Sequence, residues 1–302
     1  MKPITKQSDK KTAFTIIELL TVMSIIVILI GLLIPSMNMV KRYAKEVRQK
    51  AQFHSIDAAM ELFSSNSGWD SYPPSSAQDN SSSPQNYCGA MKLCEAMVGQ
   101  DLMGFHPLSQ FRADCKTTVD GTDYPIYDNP PPQSLYPNTA DNLKARKGPY
   151  LQLENANAYR LSDLYASASI ADFKPGLFVL CDVYNRVRNS TTGKGIGMPI
   201  LYYKADTLNT IHDPCGTLPV VGDDKGYIYN YTDNDKLVAM HPPWDTTLTH
   251  PLSTPKTFYD ITKNGRISIT TGWPYKPDSY ILISAGFDGL YGTDDDIFNF
   301  EK

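Results

Sequence analysis

The chain opens with its longest apolar run, which predicts a helix that crosses a membrane. Residues 14–34 read FTIIELLTVMSIIVILIGLLI, 21 residues in which Glu18 is the one charged side chain. At about 1.5 Å per residue, a helix of this length spans the roughly 30 Å hydrocarbon core of a bilayer. A secretory signal peptide fits less well, because its apolar region covers about 7–15 residues and ends at a small-residue cleavage site.

Beyond residue 34 the pattern becomes that of an amphipathic helix. Apolar residues recur every three to five positions from Val40 to Phe63, among basic, acidic and amide side chains. Gly68 and Pro73 end the pattern. We therefore predict one long helix over 14–66, with a transmembrane segment at 14–34 and a second half that packs against a globular head.

The remaining residues, 67–302, predict a head built of short strands. Residues 67–141 are rich in serine and proline and are predicted to be a loop-rich insertion with a short helix near 91–103. Short strands joined by turns predict an antiparallel sheet, which packs well on one amphipathic helix face, so the fold class is α+β. The strand candidates are 177–184, 199–204, 227–231 joined by a turn to 236–240, and 280–284.

Charge indicates which side of the membrane the head occupies. Residues 1–13 carry four lysines against Asp9, and the positive-inside rule places that end in the cytoplasm and the head on the outer face. The whole chain has a formal net charge of −4. We expect no general affinity for nucleic acid, because such affinity requires basic patches that neutralise phosphates.

The five cysteines include no C-x-x-C pair, which disfavours a zinc site or a thioredoxin-type redox motif. Outside the cytoplasm disulfides are permitted. Cys88 and Cys94 are then the first candidate pair, and plain buried thiols are the alternative.

Residues 13–18, AFTIIE, resemble the class III signal of type IV pilins and type II secretion pseudopilins. In that family a prepilin peptidase cuts after a small residue and leaves an N-methylated phenylalanine, with glutamate at the fifth mature position. The resemblance implies a cut between Ala13 and Phe14, which removes 1–13 as a basic leader. Alanine stands here where glycine is usual.

The same resemblance implies a role for Glu18 in filament assembly. An ionised side chain within a bilayer costs roughly 2.5–3.5 kcal/mol on insertion scales and is a functional-site hypothesis by default. In a packed filament the Glu18 carboxylate would neutralise the Phe14 ammonium of a neighbouring subunit. Such a buried pair sets register more than it adds stability.

A second motif lies in residues 284–298, SAGFDGLYGTDDDIF. Crowded carboxylates repel unless a cation or water relieves them, and Ca²⁺ prefers carboxylate and carbonyl oxygens on loops that glycine allows to bend. The spacing is not that of an EF-hand. It resembles the C-terminal calcium loop of major pseudopilins, and an acidic solvated turn is the alternative. The resemblance implies carboxylate ligands from Asp288, Asp294 and Asp296, a backbone carbonyl from Ala285, and an Asp295 that joins the ligands or faces water.

Taken with the resemblance, these features imply a pilin-like fold and a single-pass protein of the inner membrane with its head in the periplasm. The expected partners are prepilin peptidase, other pseudopilins and the inner-membrane assembly platform. Type II secretion is the first hypothesis, and a type IV pilus subunit for adhesion, motility or DNA uptake is the alternative. The large head favours a minor subunit, whereas Glu18 and the calcium loop favour a major one.

Common catalytic motifs do not occur in the chain. It contains no G-x-S-x-G, H-E-x-x-H, Walker or G-x-G-x-x-G pattern, and its five histidines are scattered. We therefore expect a structural protein and not an enzyme, with an anchored binding module as a third hypothesis.

Overall fold

The fold is a mixed α+β arrangement, as predicted. It was obtained as a computed structural model, which describes residues 15–69, 71–77, 79, 85–127, 135–136, 139–166, 169–189, 192–212, 226–267 and 272–301. The chain divides into two compact units, Met1–Ala44 and Lys45–Lys302. The division falls inside the first helix.

Short elements follow one long helix in chain order. The α-helices are α1 (Ile16–Asn66), α2 (Gly89–Val98), α3 (Thr139–Ala145), α4 (Leu153–Ala156), α5 (Leu161–Leu164), α6 (Asp235–Val238) and α7 (Pro255–Thr262). The strands are β1 (Lys116–Val119), β2 (Thr122–Pro125), β3 (Ala158–Arg160), β4 (Phe178–Leu180), β5 (Val187–Arg188), β6 (Gly195–Ile196), β7 (Leu201–Lys204), β8 (Tyr280–Ser284) and β9 (Ile297–Phe298). Two 3-10 turns cover Tyr231–Asp233 and Pro251–Ser253.

The N-terminal half of α1 is apolar and exposed along its length. Its most apolar 18-residue window has a mean hydropathy of 2.8 and is 0% buried. The helix is long and apolar enough to cross a membrane. Such a surface is unfavourable in water, because the hydrophobic effect drives apolar area out of contact with solvent. The structure therefore confirms the predicted helix in its length and its apolar composition.

The C-terminal part of α1 supplies the centre of the second unit's core. Phe53, Ile56, Met60 and Phe63 are each at most 2% exposed, and their spacing of three and four places them on one helix face. Phe63 packs edge-to-face against Phe105 and Tyr150, with ring centroids 4.9 Å and 5.7 Å away.

Upstream of Phe53, α1 does not bury the predicted apolar stripe. Val47 is 49% exposed and Ala51 is exposed, whereas Gln49 is completely buried and Gln52 nearly so. The Gln49 side chain accepts a hydrogen bond from the Val183 backbone (3.0 Å), and Gln52 donates to the Cys181 carbonyl (3.0 Å). Amide side chains are buried here because they satisfy backbone groups that a packed apolar side chain would leave without partners.

The three-stranded sheet β7-β8-β9 lies against this helix. It is antiparallel, with Tyr202 opposite Leu282 and Ser284 opposite Ile297. Tyr280 of β8 donates a 2.6 Å hydrogen bond to Asp57 of α1. The strand predicted at 280–284 is confirmed, and the strand predicted at 199–204 begins two residues later, at Leu201. The other sheets are the two-stranded pairs β1-β2, β3-β4 and β5-β6.

The hairpin predicted at 227–240 is wrong. That stretch contains a 3-10 turn and α6. The Asn230 side chain accepts from the Thr232 amide at 3.0 Å and caps the turn, and short polar side chains of this type favour caps over strand ladders. The strand predicted at 177–184 is shorter than expected, because the Asp182 carboxylate binds the Tyr184 amide (3.1 Å) and takes the chain away from β4.

Part of the predicted insertion, 67–141, belongs to the core. Every residue of α2 is buried. Its Glu95 carboxylate accepts hydrogen bonds from Tyr87, Ser109 and Gln100. Burial raises the pKa of Glu95, and these donors supply the partners that a buried carboxylate requires.

The candidate Cys88–Cys94 disulfide is not formed, and the structure has the alternative, plain buried thiols, at both positions. Cys88 is the N-cap of α2 and Cys94 lies within that helix. Six residues of helix rise by about 9 Å, beyond the roughly 7 Å that a disulfide bridges between Cα atoms. Cys215 lies outside the described residues.

Replacing Phe63 with alanine should destabilise the second unit strongly. The change removes a fully buried ring from the contact with Phe105 and Tyr150, which costs about 3–5 kcal/mol for a core aromatic residue. Leu62→Ala is the matched control, since Leu62 is its neighbour and is 49% exposed. The free energy of unfolding of each full-length variant in detergent, measured by urea titration, gives the comparison. Equal losses in the two variants would contradict this assignment of the core.

Candidate functional sites at the helix N-terminus and the aspartate loop

The predicted site residues belong to two separate regions of the chain. Ala13 and Phe14 lie outside the described residues, and Glu18 lies in the first turn of α1. The predicted metal ligands lie between β8 and β9. The two regions belong to different compact units and are therefore described separately.

Glu18 has a local partner at the start of α1. The Thr15 amide and hydroxyl both donate to Glu18 Oε2, at 2.9 Å and 2.8 Å, and the Glu18 amide donates to Thr15 Oγ1 at 3.3 Å. Because α1 begins at Ile16, Thr15 is the N-cap residue and Glu18 is the third helical residue. The two form a reciprocal capping box.

This capping box gives the carboxylate a second physical explanation. A negative charge in the first helical turn interacts favourably with the helix dipole, and its hydrogen bonds reduce the cost of leaving water. The local signal for this cap is the sequence Thr15-Ile-Ile-Glu18, a threonine followed three residues later by a glutamate. Capping requires the Thr15 hydroxyl, whereas pairing with a neighbouring subunit requires only the Glu18 carboxylate. Replacing Thr15 therefore separates the two roles by experiment.

The aspartate loop, residues 285–296, is tightly folded at the end of β8. Gly286, Gly289 and Gly292 have φ values of 65°, 77° and 91°, a conformation that L-residues with side chains rarely adopt. A Cβ on Gly286 would collide with the Asp295 carbonyl, and one on Gly292 with the Leu252 amide. These glycines are therefore required both for their conformation and for close backbone approach.

Asp295 is the central carboxylate of the loop. Its Oδ2 accepts from the Phe287 and Asp288 amides at 2.8 Å and 3.0 Å, and its Oδ1 accepts from the Thr293 hydroxyl at 2.7 Å. The resemblance had left open whether Asp295 joins the site or faces water. Asp294, assigned as a ligand by that resemblance, is the exposed member of the group.

The remaining predicted ligands also contact backbone amides. Asp288 Oδ1 accepts from the Leu290 amide and Asp296 Oδ2 from the Gly292 amide, both at 2.7 Å. The Ala285 carbonyl accepts from the Gly289 amide at 3.1 Å. The loop is therefore held in shape mainly by hydrogen bonds from backbone amides to carboxylates, in place of the backbone ladders of regular secondary structure.

The donor types fit a hard cation such as Ca²⁺, because carboxylate and carbonyl oxygens are its usual ligands. Burial raises the pKa of Asp288, and the nearby Asp295 carboxylate raises it further. A cation would relieve this like-charge interaction. Among the described residues, however, no three His, Cys, Asp or Glu side chains are arranged to hold a metal ion. The calcium ligand set therefore stays a prediction.

Two buried titratable groups attach the loop to the rest of the second unit. His250 Nδ1 accepts from the Tyr291 amide at 3.2 Å, and burial lowers the pKa of His250 to about 4. On the other side, the Ser284 hydroxyl donates to Asp182 at 3.0 Å, and burial raises the pKa of Asp182 to about 7. Neither contact is predictable from the sequence, because no local pattern marks a contact across such sequence separations.

No protein-family model, curated protein or solved structure matches the chain. The likeness to pilins and pseudopilins therefore rests on residues 13–18 and 284–298.

The buried His250 should make stability depend on pH. Its pKa in the folded protein is about 4, below the ordinary value of 6.5, so the folded state favours the neutral ring. The neutral His250 ring therefore contributes up to about 3 kcal/mol to the free energy of unfolding. This contribution is complete above pH about 6.5 and is lost as the pH falls towards about 4. We expect His250→Gln to flatten the dependence of the free energy of unfolding on pH over this interval.

The control for this prediction is His54→Gln, since His54 is exposed on α1. Urea titrations of the full-length protein in detergent at several pH values give the required slopes. The assignment would fail if His250→Gln and His54→Gln left the same slope as the wild type.

Proposed function

We propose that this chain is a pseudopilin of a type II secretion system, a structural subunit without enzymatic activity that assembles into a periplasmic filament. The observation that carries the proposal is Glu18, a single carboxylate in the first turn of a helix whose following apolar residues are exposed. Its placement directly after the motif Ala13-Phe-Thr-Ile-Ile supports processing by a prepilin peptidase. The helix is then anchored as a single span in the inner membrane, with the head in the periplasm.

Assembly follows from the chemistry of the processed terminus. Cleavage after Ala13 frees the α-amine of Phe14, and an ammonium in apolar surroundings requires a negative partner. Glu18 of a neighbouring subunit supplies that partner. The apolar surface of α1 exchanges lipid contacts for contacts with other pseudopilins, with the inner-membrane assembly platform driving the exchange.

The aspartate loop acts in this proposal as a structural calcium clamp. Asp288, Asp294, Asp295 and Asp296 supply the carboxylates and Ala285 a carbonyl oxygen. A bound ion neutralises the close Asp288 and Asp295 carboxylates and holds the C-terminal strand β9 beside β8. It stabilises the head without taking part in chemistry.

The first test compares secretion by a deletion strain complemented with single variants. We expect the wild type to restore the extracellular proteome and Glu18→Gln to fail, because glutamine keeps the side-chain shape but cannot neutralise an ammonium. Thr15→Ala is the matched control. It removes the capping hydroxyl, at a cost of about 0.5–2 kcal/mol to the helix, but leaves the carboxylate in place, so secretion should be retained. Quantitative mass spectrometry of culture supernatants and membrane levels of each variant provide the readout.

Each other outcome of the secretion test counts against part of the proposal. Normal secretion with Glu18→Gln would remove the assembly role of the charge. Equal loss with Thr15→Ala and Glu18→Gln would show that Glu18 acts as a helix cap. Normal secretion in the deletion strain together with the loss of surface fibres would favour the type IV pilus hypothesis.

The second test is a calcium titration of the full-length protein in detergent. A ligand at 100 times its dissociation constant stabilises by about 2.7 kcal/mol, so the melting temperature should rise with Ca²⁺. Asp294→Ala should reduce this rise, and since Asp294 is exposed, the metal-free protein should melt nearly as the wild type does. Asp260→Ala changes another exposed aspartate, on α7, and should retain the full rise. No rise in the wild type, or an equal rise in both variants, would remove the calcium site.

A further inference from the structure

A thiol and a primary amine are in direct contact on the second unit. Lys174 Nζ lies 2.9 Å from Cys115 Sγ and donates a hydrogen bond to it. Cys115 is 8% exposed and directly precedes β1, whereas Lys174 is partly exposed in the turn before β4. The two residues are 59 positions apart in the chain. The contact therefore joins the hairpin β1-β2 to a different part of the head.

We propose that Cys115 and Lys174 form a reversible covalent cross-link when a peroxide oxidises the thiol. In the reduced protein neither group is an electrophile, so the two do not react with each other. Oxidation converts the sulfur into an electrophile, and the Lys174 amine is a nucleophile already in contact with it.

The surroundings distinguish Cys115 from the other described thiols. Burial raises the pKa of Cys88 to about 11, and burial also raises the pKa values of Cys94 and Cys181. These three groups are thus held in the unreactive thiol form. At Cys115 the geometry differs, because the Lys174 side chain donates a hydrogen bond to the sulfur at 2.9 Å and holds a second reactive group beside it.

The backbone holds Cys115 in the position that the contact requires. Its φ is 66°, in the left-handed region that residues with a Cβ seldom occupy. Its amide donates to the Arg112 carbonyl at 3.3 Å, and its carbonyl accepts from the Ile126 amide at 3.0 Å. Arg112 is in turn held by hydrogen bonds to Asp114 and Asp123, at 2.6–3.0 Å. These hydrogen bonds therefore hold the Cys115 thiol in one position beside Lys174.

The reaction balances with one equivalent of hydrogen peroxide. The Cys115 sulfur attacks one peroxide oxygen and the O–O bond breaks. The sulfur loses two electrons and becomes a sulfenic acid, and one water is released. Lys174 loses its ammonium proton to solvent, and the amine nitrogen attacks the sulfur. The S–N bond forms as the S–O bond breaks, and the hydroxide takes an amine proton and leaves as the second water. A thiol reductant returns two hydrogens and restores both side chains.

The test uses the full-length protein in detergent, treated with hydrogen peroxide and then denatured for mass spectrometry. We expect a loss of about 2 Da and a tryptic product that joins residues 113–116 to residues 161–186, reversed by dithiothreitol. Lys174 precedes Pro175, so trypsin leaves that site uncut in either state. Cys115→Ser and Lys174→Arg should abolish the product, and Cys88→Ser is the matched control that should retain it.

Two results overturn the proposal: oxidation without a link, and a joined product that Lys174→Arg retains, which would be a disulfide to Cys181 on the same peptide. Gains of about 16 or 32 Da on Cys115, equal in the wild type and in Lys174→Arg, would show simple sulfur oxidation. A gain of about 14 Da on the joined product would show a link that carries one additional oxygen and would uphold the cross-link. Melting curves of the reduced variants establish that each is folded before oxidation. A cross-linked wild type should then melt at a higher temperature than its reduced form, because a closed loop restricts the unfolded chain.

Discussion

The second unit depends on the burial of one face of α1 in its core. Two-stranded ribbons such as β1-β2, β3-β4 and β5-β6 are at best marginally stable in water, because they bury too little apolar surface alone. Packing on Ile56, Met60 and Phe63 gives the head a shared core. Each fully buried side chain of this size contributes about 1.5–3 kcal/mol relative to an exposed one.

The two parts of α1 carry different side chains. Residues 16–34 are exposed and, apart from Glu18 and a few small polar residues, apolar, a surface that suits lipid or other apolar helices. From Lys45 onward the helix belongs to the compact head, where Gln49 and Gln52 hydrogen-bond to the chain at 181–183. The change of side chains, and not a change of secondary structure, separates the two environments.

Polar groups inside the head connect segments that are far apart in sequence. Asp182 accepts from Ser284 at the start of the aspartate loop, and His250 accepts from Tyr291 within it. Glu95 and Arg112 make comparable contacts around the hairpin β1-β2. Because a buried polar group is costly without partners, such contacts hold each segment in one arrangement. The shape of the aspartate loop is therefore set partly by residues outside it.

The sequence by itself determined the elements whose signal is local. The apolar run and its amphipathic continuation specify α1, and β-branched and aromatic runs specify β7 and β8. The sequence also identified Glu18 and the aspartate loop as candidate sites, because a single charge in an apolar run and a group of crowded like charges are both recognisable without the fold. The Thr15–Glu18 cap is likewise a local motif that the sequence contains. Only the tertiary structure decided the central place of Asp295, the helical conformation at 235–238 and the contact of Cys115 with Lys174, because these features depend on packing and hydrogen bonds that no local period encodes.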